Sequence, residues 1–317
     1  MSDAGAPRHL WNGPIVDAHH HFWQPEVNDH PWLRPEAHIP FRYGDYSAIK
    51  RSYLPPDYRT DAAGAPVVQT VYVETEWNPD DPVGEVRYAS ALAGRFGVPN
   101  AIVAQAWLDR ADVGALLAAY AGFPLVKSVR HKPGGPESPA EVGQRRTLMS
   151  DPAWRRGFAL LAGHGLRFDL QTPWWNLDEA ATLANDSPET TIILNHAGLP
   201  AQRDKEGLSG WRDAMRRLAA CPNVAVKISG IGVPGQPWAS ESTLWIVRTA
   251  VILFGAHRCM FASNFPVDSL CARYTDILEG CREALAEFPE AEQQAFFAGS
   301  ARRVYALPEP NRPGAAR

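Results

Sequence analysis

Residues 16–23 read VDAHHHFW, an apolar stretch with one aspartate that runs into three consecutive imidazoles. A β-branched run that stops on ionisable side chains is how a parallel-barrel strand ends, because barrels collect their reacting groups at the C-terminal ends of strands. If this stretch is such an end, the pattern must recur down the chain. It does, in "PIVDAH" (14–19), "VVQTVYVET" (67–75), "AIVAQAW" (101–107), "LVKSVRH" (125–131), "LRFDLQ" (166–171), "TTIILNH" (190–196), "VAVKISG" (224–230) and "CMFASN" (259–264). Alanine- and leucine-rich helical stretches separate most of these runs, among them "GEVRYASALAGRFG", "PAWRRGFALLAGHG" and "ESTLWIVRTAVILFG". Strands alternating with helices imply βαβ units and a parallel sheet. Eight units predict an α/β fold of the closed (β/α)8, or TIM-barrel, type. An open doubly wound sheet is the competing architecture, but it usually has fewer strands.

The proline- and aromatic-rich segment from Phe22 to about Ala65 breaks the alternation. It reads as a long first βα loop folded over the barrel mouth, since loops of that length in compact domains are usually functional or disordered. Residues 1–13 and 308–317 read as flexible tails around a barrel of residues 14–307.

Composition limits the function. The chain has 317 residues, 45% hydrophobic and 21% charged, enough for a large core. A net charge of -4 gives no support for nucleic-acid or anionic-membrane binding. The opening residues lack an apolar signal region, and no run is apolar enough to span a membrane, so a cytoplasmic protein acting on a small molecule is expected. Cys221, Cys259, Cys271 and Cys281 form no CxxC pair and read as reduced packing residues. The apolar "LWIVRTAVILF" suits either a homo-oligomer interface or a helix packed on the barrel.

The strand ends carry the chemistry. In order they present His19, His20 and His21; Glu74 and Glu76; Arg130 and His131; Asp169; His196; Lys227 and Ser229; and Asn264, followed by Asp268. So many buried ionisable groups are costly unless they form a site. The alternation of a strand puts His19 and His21 on one side and His20 on the other. Trp23, Trp174 and Trp175 are candidates for pocket walls, with core packing as the competing role. His9, His30, His38, His164 and His257 read as surface or loop residues.

With "VDAHHHFW", "SVRHKP", "RFDLQ", "LNHAGLP", "VKISG" and "CMFASNFPVD" together, the chain resembles the amidohydrolase superfamily over about residues 14–307. Within it, the chain resembles the lactonase-type branch that includes 2-pyrone-4,6-dicarboxylate lactonase and the L-fucono- and L-rhamnonolactone hydrolases. The resemblance implies that His19 and His21 are the first-strand HxH pair and His196 the sixth-strand histidine. It places Glu74 and Arg130 among the groups that hold substrate. His131, Asp169, Trp23 and Trp175 join the expected substrate site. The family ends strand eight on an aspartate, as metal ligand or water-activating base, whereas this chain has Asn264 there. An amide accepts no proton at neutral pH and can only orient water or substrate.

Two routes to lactone opening follow. In one, a zinc or manganese ion on His19, His21 and His196 supplies hydroxide. In the other no metal binds, the histidines and Arg130 polarise the carbonyl, and Glu74, Asp169 or Asp268 takes the proton. Decarboxylation of a small aromatic acid on the same scaffold, and a non-catalytic ligand-binding barrel, are the alternatives.

Overall fold

The computed structural model describes residues 9–309. Eight strands pair in chain order, and every neighbouring pair is parallel. They are β1 (Ile15–His20), β2 (Val67–Val73), β3 (Ala101–Gln105), β4 (Val126–Arg130), β5 (Arg167–Leu170), β6 (Ile192–Leu194), β7 (Val224–Ile228) and β8 (Cys259–Phe261). Helices α1 (Pro55–Asp61), α2 (Pro82–Phe96), α3 (Val113–Tyr120), α4 (Pro152–Gly163), α5 (Leu177–Asp186), α6 (Lys205–Ala219), α7 (Glu241–Phe254) and α8 (Tyr274–Ala284) follow the strands, then α9 (Glu290–Gln294) and α10 (Ser300–Tyr305). The helix starts are written locally. The Asp81 and Asp151 carboxylates cap the first backbone N–H groups of α2 and α4, with proline at the next position, where its missing N–H costs nothing.

Alternation sorts each strand between two cores. Val16, Ala18, Val71, Val73, Ala101, Val103, Ile193, Ala225, Met260 and Ala262 fill the interior together with Ala301, Val304 and Tyr305 of α10. Ile15, Tyr72, Ile102, Val129, Phe168, Leu194, Val226 and Phe261 face the helices. Arg302 of α10 donates to the Gln69 side chain at the start of β2, 2.9 Å away, so α10 closes the end of the barrel opposite the strand termini.

The strands begin where the sequence places them but end early, so the polar residues lie just past the ladders. β8 has only three residues, and the barrel seam closes beyond it. The Asn264 amide donates to the His19 carbonyl at 2.7 Å, and the His21 amide to Phe265 at 2.8 Å. The buried Asp17 carboxylate stitches the same seam, accepting from the Ser263 amide at 2.9 Å and the Tyr58 hydroxyl at 2.8 Å.

The expected long loop is shorter than read. Its last part is α1, and the remainder is ordered around 3₁₀ turns at Pro31–Leu33 and Ser47–Ile49. Residues 1–8 and 310–317 of the expected tails lie outside the described residues. Within residues 9–13, Trp11 is buried and stacks on Phe297, with ring centres 6.4 Å apart, while Leu10 stays exposed. Most of "LWIVRTAVILF" is buried against the barrel, while Ile252 stays exposed. Among the described residues no helix is long and apolar enough to cross a membrane.

Candidate active site

The aim of the β1 histidines depends on a bulge. Val16 and Ala18 face the interior, so strict alternation would send His20 inward and His19 and His21 out. The pairing to β2 slips instead: Asp17 lies opposite Thr70 and His20 opposite Tyr72, three residues against two. One extra residue re-aims everything after it. Asp17 and His20 both point outward, Asp17 to Tyr58 and His20 among Phe22, Tyr58 and Tyr72. His19 and His21 turn inward, with ring centres 5.0 Å apart.

A second device aims His196. His196, Ala197, Gly198 and Leu199 all have φ between 48° and 69°. Left-handed backbone costs a non-glycine residue about 1–2 kcal/mol, and such strain concentrates at functional sites. Here the turn is held by the Trp211 indole donating to the Ala197 carbonyl at 2.7 Å and by the Leu199 amide donating to His196. It sets the His196 ring 4.7 Å from that of His19, with Nδ1 2.9 Å from the Ser229 hydroxyl. Gly230 is required beside it, since a Cβ there would lie 2.7 Å from His196 Nδ1.

The His21 and His196 rings line a cavity of about 310 Å³, a size for one small molecule, while His19 is buried against them. His21, His196, Asn264, Glu74 and Arg130 line it, with Trp23 and Trp32 as aromatic walls. Arg130 is ion-paired through Nε to the Glu74 carboxylate, and also donates to the Glu74 carbonyl at 2.8 Å and to Gln171 at 3.0 Å. A guanidinium has five N–H donors, so two are left for a substrate. His21 Nδ1 lies 2.8 Å from the Val73 carbonyl. A carbonyl only accepts, so Nδ1 carries the proton and Nε2 carries a lone pair.

Burial favours the neutral ring at every one of these positions. It lowers His19 and His196 well below the usual histidine range, with Lys227 adding to the effect at His19 and Arg42 at His196. Burial, then Arg130, hold His21 down to about 3.

The expected metal set does not assemble. His19, His21 and His196 cluster, but among the described residues no three His, Cys, Asp or Glu side chains could hold a metal ion together. The eighth strand offers the Asn264 amide rather than an acid. No step below runs through a metal.

Other expected site residues lie elsewhere. Asp169 is fully buried beneath the cavity, paired with Lys227 at 2.6 Å and accepting from Ser128, Asn195 and Tyr305. It has no face toward a substrate, and Arg130 pairs with Glu74 rather than with it. His131 sits behind β4, its Nδ1 accepting from the Leu108 amide at 3.1 Å and the Trp154 indole at 2.9 Å. Trp175 spends its indole N–H on the Pro136 carbonyl and does not line the cavity. Asp268 lies one layer behind Asn264, which donates to it at 2.7 Å. His30, read as a surface or loop residue, lies in the first loop but is buried, with its Nδ1 3.2 Å from the Thr75 hydroxyl.

Sequence reasoning missed Arg42 and Lys132. Arg42 comes from the middle of the first loop and donates to the Gly230 carbonyl, 188 residues away, at 3.1 Å. Lys132 pairs with Glu76 at the cavity mouth. Lys132 directly follows the "VRH" strand end and was readable; Arg42 gave no signal, since a loop of that length can point anywhere.

The cavity thus combines neutral imidazoles, an amide oxygen and a positive rim, an arrangement that can deliver water to a polarised carbonyl. The chain is 38% identical over 296 residues to the uncharacterized protein y4mH of Sinorhizobium fredii (strain NBRC 101917 / NGR234), covering 92% of this chain and 98% of the relative. It is 29% identical over 311 residues to an L-fucono-1,5-lactonase of Burkholderia multivorans (strain ATCC 17616 / 249), covering 93% and 97%. The crystal structure of a Burkholderia multivorans amidohydrolase with bound HEPES superposes with a TM-score of 0.76 at 25% identity, covering 93% of this chain and all of that one. A family model described as Amidohydrolase matches residues 16–307, and the chain belongs to that amidohydrolase family, Amidohydro_2.

Proposed function

We propose that the protein is a hydrolase that opens a small lactone by direct attack of water. One observation carries the reading: His21 is fixed with its unprotonated Nε2 in a cavity shared with a partly unsatisfied Arg130 and the Asn264 amide. The similarity to L-fucono-1,5-lactonases supports the substrate class.

Asn264 gives its amide nitrogen to Asp268, so its carbonyl oxygen is the atom left to hold a water. That water adds to the lactone carbonyl carbon and gives a proton to His21 Nε2. Charge builds on the carbonyl oxygen, where the two free N–H groups of Arg130 stabilise it. The tetrahedral centre then collapses, the ring C–O bond breaks, and the leaving alkoxide takes the proton back from His21. A ring this low in basicity accepts the proton only as the oxyanion forms beside Arg130. The product is a hydroxy acid, whose new carboxylate faces Arg130, Arg42 and Lys132.

The test is proton release from a panel of sugar lactones and unsaturated carboxylated lactones, with and without chelator. Turnover that survives chelation is expected. Carbon dioxide release from a hydroxybenzoate with every lactone inert would replace this reading with decarboxylation, and binding of a lactone without turnover would replace it with a ligand-binding role.

A further inference from the structure

The acid missing from the end of β8 is present four residues later. Asp268 is 1% exposed, and four groups from three separate parts of the chain converge on its carboxylate. Asn264, at the end of β8, donates Nδ2 at 2.7 Å. Gly230, past β7, donates its amide at 2.9 Å. The first loop contributes the Tyr43 hydroxyl at 3.0 Å and the Arg42 guanidinium at 3.7 Å. The Arg42 guanidinium also lies 4.5 Å over the Tyr43 ring and reaches the Gly230 carbonyl. Behind it, Phe41 stacks on Trp32 at 6.1 Å, and Trp32 packs on Trp23 beside His21.

We infer that Asp268 is a positioning residue with two tasks: it is the latch on which the first βα loop docks, and it orients the Asn264 amide toward the cavity. The catalytic part rests on the lactonase reading above; the docking part does not. An ionised carboxylate only accepts hydrogen bonds, so it fixes which end of the Asn264 amide faces it and leaves the oxygen for the cavity. The same carboxylate accepts from the loop, so the loop that carries Arg42 over His196 and the amide that holds water are set by one group. An aspartate at 264 would place two carboxylates in contact, and like charges in one site cannot both stay ionised. The asparagine is therefore the complement of Asp268 rather than a lost acid.

The experiment measures two things on Asp268→Asn, Asn264→Asp, the double exchange Asn264→Asp/Asp268→Asn, and Tyr43→Phe. The first is amide hydrogen exchange of residues 39–46, with β6 and β7 peptides as the internal control for folding. The second is kcat and KM on the best lactone of the panel. Asp268→Asn is expected to raise exchange in residues 39–46 about tenfold, to leave β6 and β7 protected, and to lower kcat at least tenfold. Tyr43→Phe, which leaves Asn264 untouched, is expected to raise loop exchange and KM with kcat within twofold of wild type. The double exchange is expected to recover kcat relative to Asn264→Asp alone, because it restores one amide and one carboxylate. Unchanged loop exchange in both Asp268→Asn and Tyr43→Phe overturns the latch, whatever the activity. A double exchange no better than either single variant overturns the amide-orienting task. If Asp268→Asn does not fold, Tyr43→Phe alone decides the latch. If no lactone is turned over at all, the exchange data still decide docking, and the failure belongs to the lactonase reading.

Discussion

The barrel holds two buried polar clusters, one a layer above the other, and they are built on opposite rules. The lower one surrounds Asp169: Lys227, Ser128, Asn195 and Tyr305 all serve one carboxylate, and neither Asp169 nor Lys227 has measurable exposure. The upper one is left open. Both ring nitrogens of the buried His19 lack a hydrogen-bond partner, His21 keeps a free lone pair, and Arg130 keeps two free N–H groups. A buried polar group with every partner in place rigidifies the interior, whereas an unsatisfied one costs stability until a ligand completes it. Burial alone therefore does not distinguish a catalytic group from a structural one, and neither does unfilled hydrogen-bonding capacity by itself, since both ring nitrogens of the outward-facing His20 are also unpaired; unfilled capacity that lines the cavity does.

The comparison is broken most directly from below. Lys227→Met leaves Asp169 buried without its cation, and removing one partner of a buried pair costs about 3–5 kcal/mol. Denaturant unfolding checks this, with kcat of the remaining folded enzyme expected to stay near wild type. A loss confined to kcat would assign Lys227 to the upper cluster. His21→Ala tests the upper cluster. A positioned general base contributes about 10²–10⁴-fold, so lactone turnover is expected to fall by that range while the melting temperature stays close to wild type. Turnover left unchanged by His21→Ala would falsify the assignment.

Acid sharpens the contrast further. His19, His20, His21 and His196 all have folded pKa values lowered by burial, so the unfolded chain binds protons that the folded one refuses. Stability is then present above the ordinary histidine pKa and lost as pH falls through about 6.5 toward the folded values. The loss is about 1 kcal/mol per ring between pH 6.5 and 5.5. Unfolding free energies at those two pH values measure it, and a flat profile would mean that the rings charge in the folded state. The smallest effect is expected at His131, which belongs with the lower rule despite its place at a strand end. His131→Leu strands the Leu108 and Trp154 N–H donors at a cost of about 1–3 kcal/mol. With kcat/KM unchanged, the residue is structural; a tenfold drop in kcat/KM would return it to the site.

The sequence carried the fold more fully than the site. The β-branched runs located all eight strands because a two-sided parallel strand has to be apolar on both faces. The strand-end rule named His21, His196, Glu74, Arg130 and Asn264, which line one cavity, and His19, which is buried against the His21 and His196 rings. It could not separate Asp169 from Glu74, since both are carboxylates past apolar runs, and only depth along the barrel and the reach of Tyr305 from α10 tell them apart. It placed His131 in the site because a count of residues does not reveal the Trp154 indole behind it. The correct facing of His19 and His21 was reached for the wrong reason: alternation within HHH gave the right pair, but alternation carried on from Val16 and Ala18 gives the opposite one.

That slip in β1 has an evolutionary side. A strand without it runs in a single phase, so adding or losing one residue at the packing end would turn over every side chain at the chemical end. In this strand the two ends are out of phase with each other, joined by one surplus residue between Asp17 and His20. Parity is thus stored in the spacing rather than in any side chain. Ironing out the bulge with the sequence unchanged would bring His20 to face the substrate and send its two neighbours into the Tyr58 and Tyr72 layer, whereas deleting Ala18 would remove the surplus residue and leave His19 and His21 facing inward.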